Sequence, residues 1–222
     1  MYFIIQNSRS LKEAFDYFFQ TCLRLRQLGF ALVLIAPLLT FWIHSMTSQS
    51  CRPHWRATGR GGEIAIFIRN TFTITRETNV AFNSFEHIDL FVKYKTFGAR
   101  FVIVYRPPPS KKNNLTSAMF CDCFSWFYEQ ITLDGRPSIC GDFNYHVDDT
   151  NNTEFRHFTD FLDSMNLVQH VSGPTHRRGH TLDLIISRKD ESLIEEVQVL
   201  NDIYSDHRVV TCKLDFTRPP RY

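Results

Sequence analysis

Residues 138–146 read SICGDFNYH, and the way this stretch folds decides how the rest of the chain is arranged. An apolar run ends at Gly141, and a carboxylate and a carboxamide, Asp142 and Asn144, then follow two residues apart. In a strand, residues i and i+2 share a face, so Asp142 and Asn144 would project together while Phe143 turns back into a core. In open α/β sheets, ligands gather outside the carboxyl ends of strands. Asp and Asn are equally at home in a plain strand-to-loop exit, so the neighbouring segments have to decide.

Those segments alternate between strand and helix patterns. Residues 2–6 are a β-branched and aromatic run, and residues 11–28 read as helical. Residues 63–69, EIAIFIR, open after Gly61-Gly62 as a strand, as do 87–94 and 99–105. The last of these stops at Pro107-Pro108-Pro109, which cannot continue a ladder. Leu115, Met119, Cys123, Phe127 and Ile131 recur every fourth residue and predict an amphipathic helix with a core face. Phe155, Phe158, Leu162 and Met165 predict a second helix. Three more strands are expected at 181–187, 197–200 and 208–216. The last two are joined by a short loop, which favours antiparallel pairing and a mixed sheet. No linker-like segment divides the chain, so one domain over residues 1–222 is expected.

Composition narrows the function classes. A chain of 222 residues, 43% hydrophobic and 14% aromatic, can bury a substantial core. A net charge of +2 is too small to mark a nucleic-acid binder, so any phosphate-binding surface must be local. The six cysteines form no CxxC ladder, and a reducing, intracellular setting is the simplest reading. Residues 29–43, GFALVLIAPLLTFWI, are uncharged but fall short of the ~20 residues a spanning helix needs, and Pro37 interrupts them. A buried strand with its following loop is expected there, with no membrane span and no signal peptide.

Four polar clusters end the apolar runs: Tyr105-Arg106-Pro107-Pro108, Gly141-Asp142-Phe143-Asn144, Thr181 to Ile185 around Asp183, and Tyr204-Ser205-Asp206-His207. A carboxylate between Leu182 and Leu184 is costly in a strand unless something pairs with it. His207 is the natural partner, and an Asp–His pair fixes an imidazole tautomer and stabilises its charged form. Asp206 and Asp142 can supply hard oxygen ligands or a base, as magnesium chemistry requires.

With these residues in hand, the chain resembles the endonuclease/exonuclease/phosphatase superfamily, which includes deoxyribonuclease I and the apurinic/apyrimidinic endonucleases. VYRPPP, PTHRRGHTLDLII and TGRGGEIAIF are most similar to the endonuclease domain of non-LTR (LINE-type) retrotransposons. The likeness is specific over residues 58–216. Residues 1–57 diverge, although Asn7 in QNSRSL is similar to the family's first-strand Asn. The resemblance implies a four-layered α/β sandwich, deoxyribonuclease I-like, with two mixed β-sheets flanked by helices. It implies a nuclease acting on DNA as a monomer with Mg2+, or with Mn2+ in its place, and hence a nuclear or cytoplasmic setting. Asp142 would then orient or deprotonate the attacking water and Asn144 would bind the phosphate. His207, held by Asp183, would stabilise charge on the phosphate oxygens with Tyr105 assisting. Asp206 would join the metal site, Asn7 would orient the water or a carboxylate, and Ser205 and Thr175 would support the substrate.

One departure bears on activity. The family carries its principal metal-ligating Glu in a TETW motif; aligning Trp42 with that Trp puts Thr40 at the Glu position, and residues 17–62 contain no acid. A neutral hydroxyl is a poor substitute for a carboxylate on magnesium. Two readings therefore stay open: a working endonuclease, or an impaired remnant that keeps the fold and at most weak nucleic-acid binding. Arg177 and Arg178 are candidates for phosphate contact on a loop, and simple solvated charge explains them equally well. His176 and His180 have HxxxH spacing, but Pro174 and Gly179 argue against the helix a zinc pair would need. The basic stretch 52–60, with Trp55 inside it, is read as an exposed loop or a nucleic-acid contact.

Overall fold

The computed structural model of the chain describes residues 2–7, 30–35, 51–57, 63–69, 72–78, 80–94, 97–133, 137–149, 151–191, 193–203 and 206–215. Its elements in order are β1 (Tyr2–Asn7), β2 (Phe30–Ile35), β3 (Cys51–Ala57), β4 (Glu63–Arg69), β5 (Thr73–Thr78), β6 (Glu86–Tyr94), β7 (Phe97–Tyr105), α1 (Ser117–Thr132), β8 (Pro137–Asp142), α2 (Thr153–Ser164), β9 (Leu167–Gln169), β10 (Asp183–Arg188), β11 (Ile194–Ile203) and β12 (Arg208–Leu214). The expected helix at 11–28, together with Thr40, Trp42, Tyr204 and Ser205, lies outside the described residues.

The strands form two mixed sheets, ordered β11-β12-β1-β2-β4-β3 and β5-β6-β7-β8-β10-β9. Each has one parallel pair at its centre, β1 with β2 and β7 with β8, and is antiparallel elsewhere. The β7–α1–β8 crossover supplies the helix a parallel pair requires. The uncharged stretch after Gly29 contributes β2, a strand paired on both sides. Among the described residues, no helix is long and apolar enough to cross a membrane.

Alternation along the strands explains the layers. On β7, Phe101 and Ile103 join a core between the two sheets with Cys140, Ile185, Ile66 and Val210. Val102 and Val104 face the other way and pack with Ile139, Leu184 and Ile186 against the helices. Strands buried on both faces read as continuous apolar runs, which is why β7, β8 and β10 show no polar alternation. The helical layer is aromatic: Phe120 and Phe124 of α1 meet Phe143, Phe127 meets Phe85, and Tyr145 stacks on Phe158 with ring centroids 4.1 Å apart. Burying each Phe contributes about 1.5–3 kcal/mol. The result is an α/β sandwich of the expected class.

A buried ion pair ties this layer together. Arg100 on β7 binds Asp89 on β6 through Nε–Oδ1 at 2.7 Å and Nη2–Oδ2 at 2.5 Å, and its Nη1 donates to the Ile131 carbonyl at the end of α1 at 2.7 Å. The boundaries differ from expectation in a few places. Residues 51–57 are not an exposed loop: every residue from Cys51 to Ala57 pairs with β4, making β3 an edge strand. Pro53 is tolerated there because an edge strand has one unpaired side. Thr181 and Leu182 precede β10 rather than opening it, and β5 and β9 are additional strands.

Candidate active site

The alternation that places Phe101, Ile103, Cys140 and Ile185 between the sheets carries Tyr105, Asp142 and Asp183 onto the same face. Register then aligns them: Tyr105 on β7 lies opposite Asp142 on β8, which lies opposite Asp183 on β10. Three polar residues from three separate motifs thus form one row across adjacent strands. This answers why Asp183 sits between two leucines. Its neighbours face the helices or the frame, while it faces the mouth of the inter-sheet layer.

Gly141 makes the row possible. Its φ is +141°, and a Cβ built there would lie 1.9 Å from the Val104 carbonyl oxygen, so β7 and β8 can approach only at glycine. Beyond Asp142 the chain turns sharply at Asn144 (φ 49°), a left-handed conformation that Asn tolerates. The Asn144 amide donates to Asp142 Oδ1 at 3.0 Å, and its side-chain Nδ2 donates both to Asp142 Oδ2 at 3.0 Å and to the Arg106 carbonyl at 2.8 Å. One hydrogen of the Asn144 carboxamide goes to Asp142 and the other to the Arg106 carbonyl, so the residue expected to bind phosphate also holds the neighbouring carboxylate.

Arg106 is the residue that sequence reading missed. It is 1% exposed. Its guanidinium lies 3.9 Å from the Tyr145 ring centroid and donates to the carbonyls of Phe143 (3.1 Å) and Asn144 (3.2 Å) and to Ser117 Oγ (3.3 Å). The GDFN turn is therefore clamped from behind by a buried cation whose affinity for its proton is lowered by that burial. The only signal in the sequence is its place directly after Tyr105.

His207 enters from the other sheet, immediately before β12. Its Nδ1 lies 2.7 Å from Asp183 Oδ2. Burial disfavours charge on this imidazole, but Asp183, with Asp142 and Asp206, outweighs it and raises the pKa from 6.5 to about 9. Asp142 is pushed up from 3.8 to about 7 by its own burial and by the neighbouring Asp183 charge, with His207 and the Asn144 bonds opposing. Ligand atoms of Asp142, Asp183 and His207 all lie within 4.8 Å of one another, and those of His176, Asp206 and His207 form a second such group.

The turn carrying Arg177 and Arg178 is stitched to this centre. Thr175, expected to support substrate, is fully buried; its Oγ1 accepts from the amides of Leu182 (2.9 Å) and Asp183 (3.0 Å), so it secures the start of β10. Arg177 and Arg178 are exposed on the same turn. His176 and His180 diverge: the first faces Asp206, while the second lies 3.2 Å from Asp148 and stacks on His146. Asn7 ends β1, which pairs antiparallel with β12 through Ile5–Val210 and so runs toward the His207 end of that strand.

The donors fit a hard divalent cation. Two buried carboxylates face each other, and Asp183 Oδ1 has no hydrogen-bond partner, a costly state for a buried oxygen unless a ligand completes it.

Residues 99–211, just over half of the chain, match a family model described as endonuclease-reverse transcriptase. No curated protein matches the chain at a significant level. Among solved structures, the endonuclease domain of TRAS1, a telomere-specific non-LTR retrotransposon, is 14% identical with a TM-score of 0.75, over 98% of this chain and 99% of that one. The human Nocturnin catalytic domain is 16% identical with a TM-score of 0.73, over 98% and 94%. The 3′ phosphatase NExo from Neisseria, bound to a product DNA hairpin, is 18% identical with a TM-score of 0.67, over 97% and 99%. The row on β7, β8 and β10 falls inside the matched segment, and so does His207: the chain belongs to the endonuclease-reverse transcriptase family of the endonuclease/exonuclease/phosphatase superfamily.

Proposed function

We propose that the chain is a magnesium-dependent phosphodiester hydrolase that cuts DNA internally, in the manner of a retrotransposon endonuclease, working as a monomer with residues 1–222 as one domain. The observation that carries this reading is the meeting of Asp142, Asp183 and His207 within 4.8 Å at the mouth of the inter-sheet layer. The family match and the likeness to the TRAS1 domain support DNA as the substrate.

The division of labour follows from the electrostatics. Asp142, with its pKa near 7, takes a proton from the attacking water; a base poised near the working pH is the most effective. Asn144 holds that carboxylate in place. His207, kept charged by Asp183, stabilises the negative charge that builds on the phosphate oxygens, with Tyr105 assisting. Asp206 supplies a carboxylate that would hold Mg2+ or Mn2+, which when bound would polarise the phosphoryl group. Asn7 and Ser205 serve the same centre, and Arg177 and Arg178 neutralise phosphates of the DNA backbone.

The test is nicking of supercoiled plasmid by the purified protein with Mg2+, beside His207→Ala and Thr40→Glu. Nicking by the wild type, reduced at least ~100-fold in His207→Ala, is the expected result. No nicking by folded wild type, together with salt-dependent DNA binding, would replace this reading with that of an impaired remnant. Activity recovered in Thr40→Glu would locate the defect at the missing carboxylate.

A further inference from the structure

His176 has no role in the scheme above, yet it is buried and faces Asp206, with its Nε2 3.7 Å from Asp206 Oδ2. Its ring also meets His207 edge-on, centroids 4.9 Å apart at 71°. Two features fix this imidazole. Its backbone is locked by the amide-to-carbonyl bonds His176 to His180 and Gly179 to His176, each 2.9 Å. Its Nδ1 accepts the backbone N–H of Arg178 at 3.3 Å. An acceptor at Nδ1 puts the proton of a neutral imidazole on Nε2, and Nε2 is the atom that faces the Asp206 carboxylate.

The turn and the Asp206–Arg208 segment are further joined on both sides of His207. Arg177 donates from its amide to the Asp206 carbonyl at 2.8 Å, and Arg208 donates from its amide to the Thr175 carbonyl at 2.6 Å. His176 and Asp206 therefore move as one backbone unit. We propose that His176 is a positioning residue for Asp206: its Nε2–H, 3.7 Å from Oδ2, attracts that oxygen and so biases which oxygen is presented to a divalent cation. This rests on the reading of Asp206 as a metal donor. Polar partners that orient a ligating carboxylate are part of a metal site, and loss of one typically costs 10–100-fold in metal affinity. Direct ligation by His176 is disfavoured, because its Nε2 would have to surrender the proton that the Arg178 amide places there.

Three variants separate these roles. His176→Gln carries an amide N–H near the position of Nε2, His176→Asn carries one too short to reach, and His176→Leu fills the space without a donor. Mn2+ binding is measured by calorimetry on each full-length protein, with circular dichroism to verify folding. The positioning role predicts that His176→Asn and His176→Leu weaken Mn2+ binding by about 10–100-fold while His176→Gln stays within about threefold of wild type. Equal losses in all three would make His176 a direct ligand and overturn the proposal, and so would wild-type affinity in the Asn and Leu variants. Absence of Mn2+ binding in the wild type would instead defeat the reading of Asp206 as a metal donor. The Mg2+ concentration for half-maximal nicking should follow the same order among the variants.

Discussion

Replacing Asp183 with Asn tests the electrostatics on which the candidate site depends. The carboxamide keeps the shape of the side chain and removes its charge, while His207 stays buried. A group whose pKa is raised on folding binds its proton more tightly in the native state. Its stabilisation is therefore complete below the unfolded value and disappears as pH rises through the folded one. For His207 that window runs from 6.5 to about 9. At about 1.4 kcal/mol per tenfold change in proton affinity, the full effect is about 3 kcal/mol near pH 6, about 2 kcal/mol near pH 7.5, and close to zero by about pH 9.5. Asp142 acts in the same direction. Its raised pKa means that the native state tolerates its ionisation poorly, so removing the Asp183 charge relieves repulsion at high pH and narrows the difference further. Urea unfolding of wild type and Asp183→Asn, in the presence of EDTA at those three pH values, measures the gap. It should fall from about 3 kcal/mol to under about 1 kcal/mol across the range. A gap that stays constant with pH would refute the assignment of the His207 charge to Asp183.

Further predictions follow from the frame. Gly141→Ala drives a Cβ to within 1.9 Å of the Val104 carbonyl oxygen at a φ of +141°, and should cost at least about 4 kcal/mol or abolish soluble expression. Asp89→Ala leaves the Arg100 guanidinium buried without its carboxylate; a loss of about 3–5 kcal/mol, or roughly 10 °C in Tm, is expected by calorimetry. Arg106→Met removes the donors to the Phe143 and Asn144 carbonyls. It should lower kcat for plasmid nicking by at least about tenfold, with a smaller change in KM, because the GDFN turn would no longer hold Asp142 in place.

Much of the architecture could be read from local pattern. The period-four apolar positions found α1, although its buried face is Phe120, Phe124, Phe127, Tyr128 and Ile131 and Met119 is exposed; the runs EIAIFIR, 87–94 and 99–105 found β4, β6 and β7 almost to the residue. β3 escaped because Arg52, Pro53 and Arg56 are atypical of a central strand and acceptable only at an edge. β9 is three residues long and β5, TITRET, is largely polar; each is an outer strand that pairs only with the next strand in the chain, so neither carries the apolar run of a central strand. The Asp183–His207 pair was legible because an isolated carboxylate among leucines demands a partner. The alignment of Tyr105, Asp142 and Asp183 was not, since register is a property of two strands and neither alone encodes it. Arg106 stood in a polar cluster with no role of its own; its burial depends on Tyr145 and Phe120, which arrive from other elements.

The row across β7, β8 and β10 also acts as a ruler. Neighbouring strands stand about 4.8 Å apart because backbone hydrogen bonds fix them there, so the spacing between Tyr105, Asp142 and Asp183 is set by the backbone and not by the side chains. Side-chain length is the one dimension left to vary. Lengthening Asp142 to Glu would advance a carboxylate by roughly 1.5 Å along a fixed line, out of reach of the Asn144 donors that hold it at 3.0 Å. At this position, then, a substitution that conserves charge is still a change of geometry, whereas the exposed side chains of Arg177 and Arg178 can change without altering a single division of the scale.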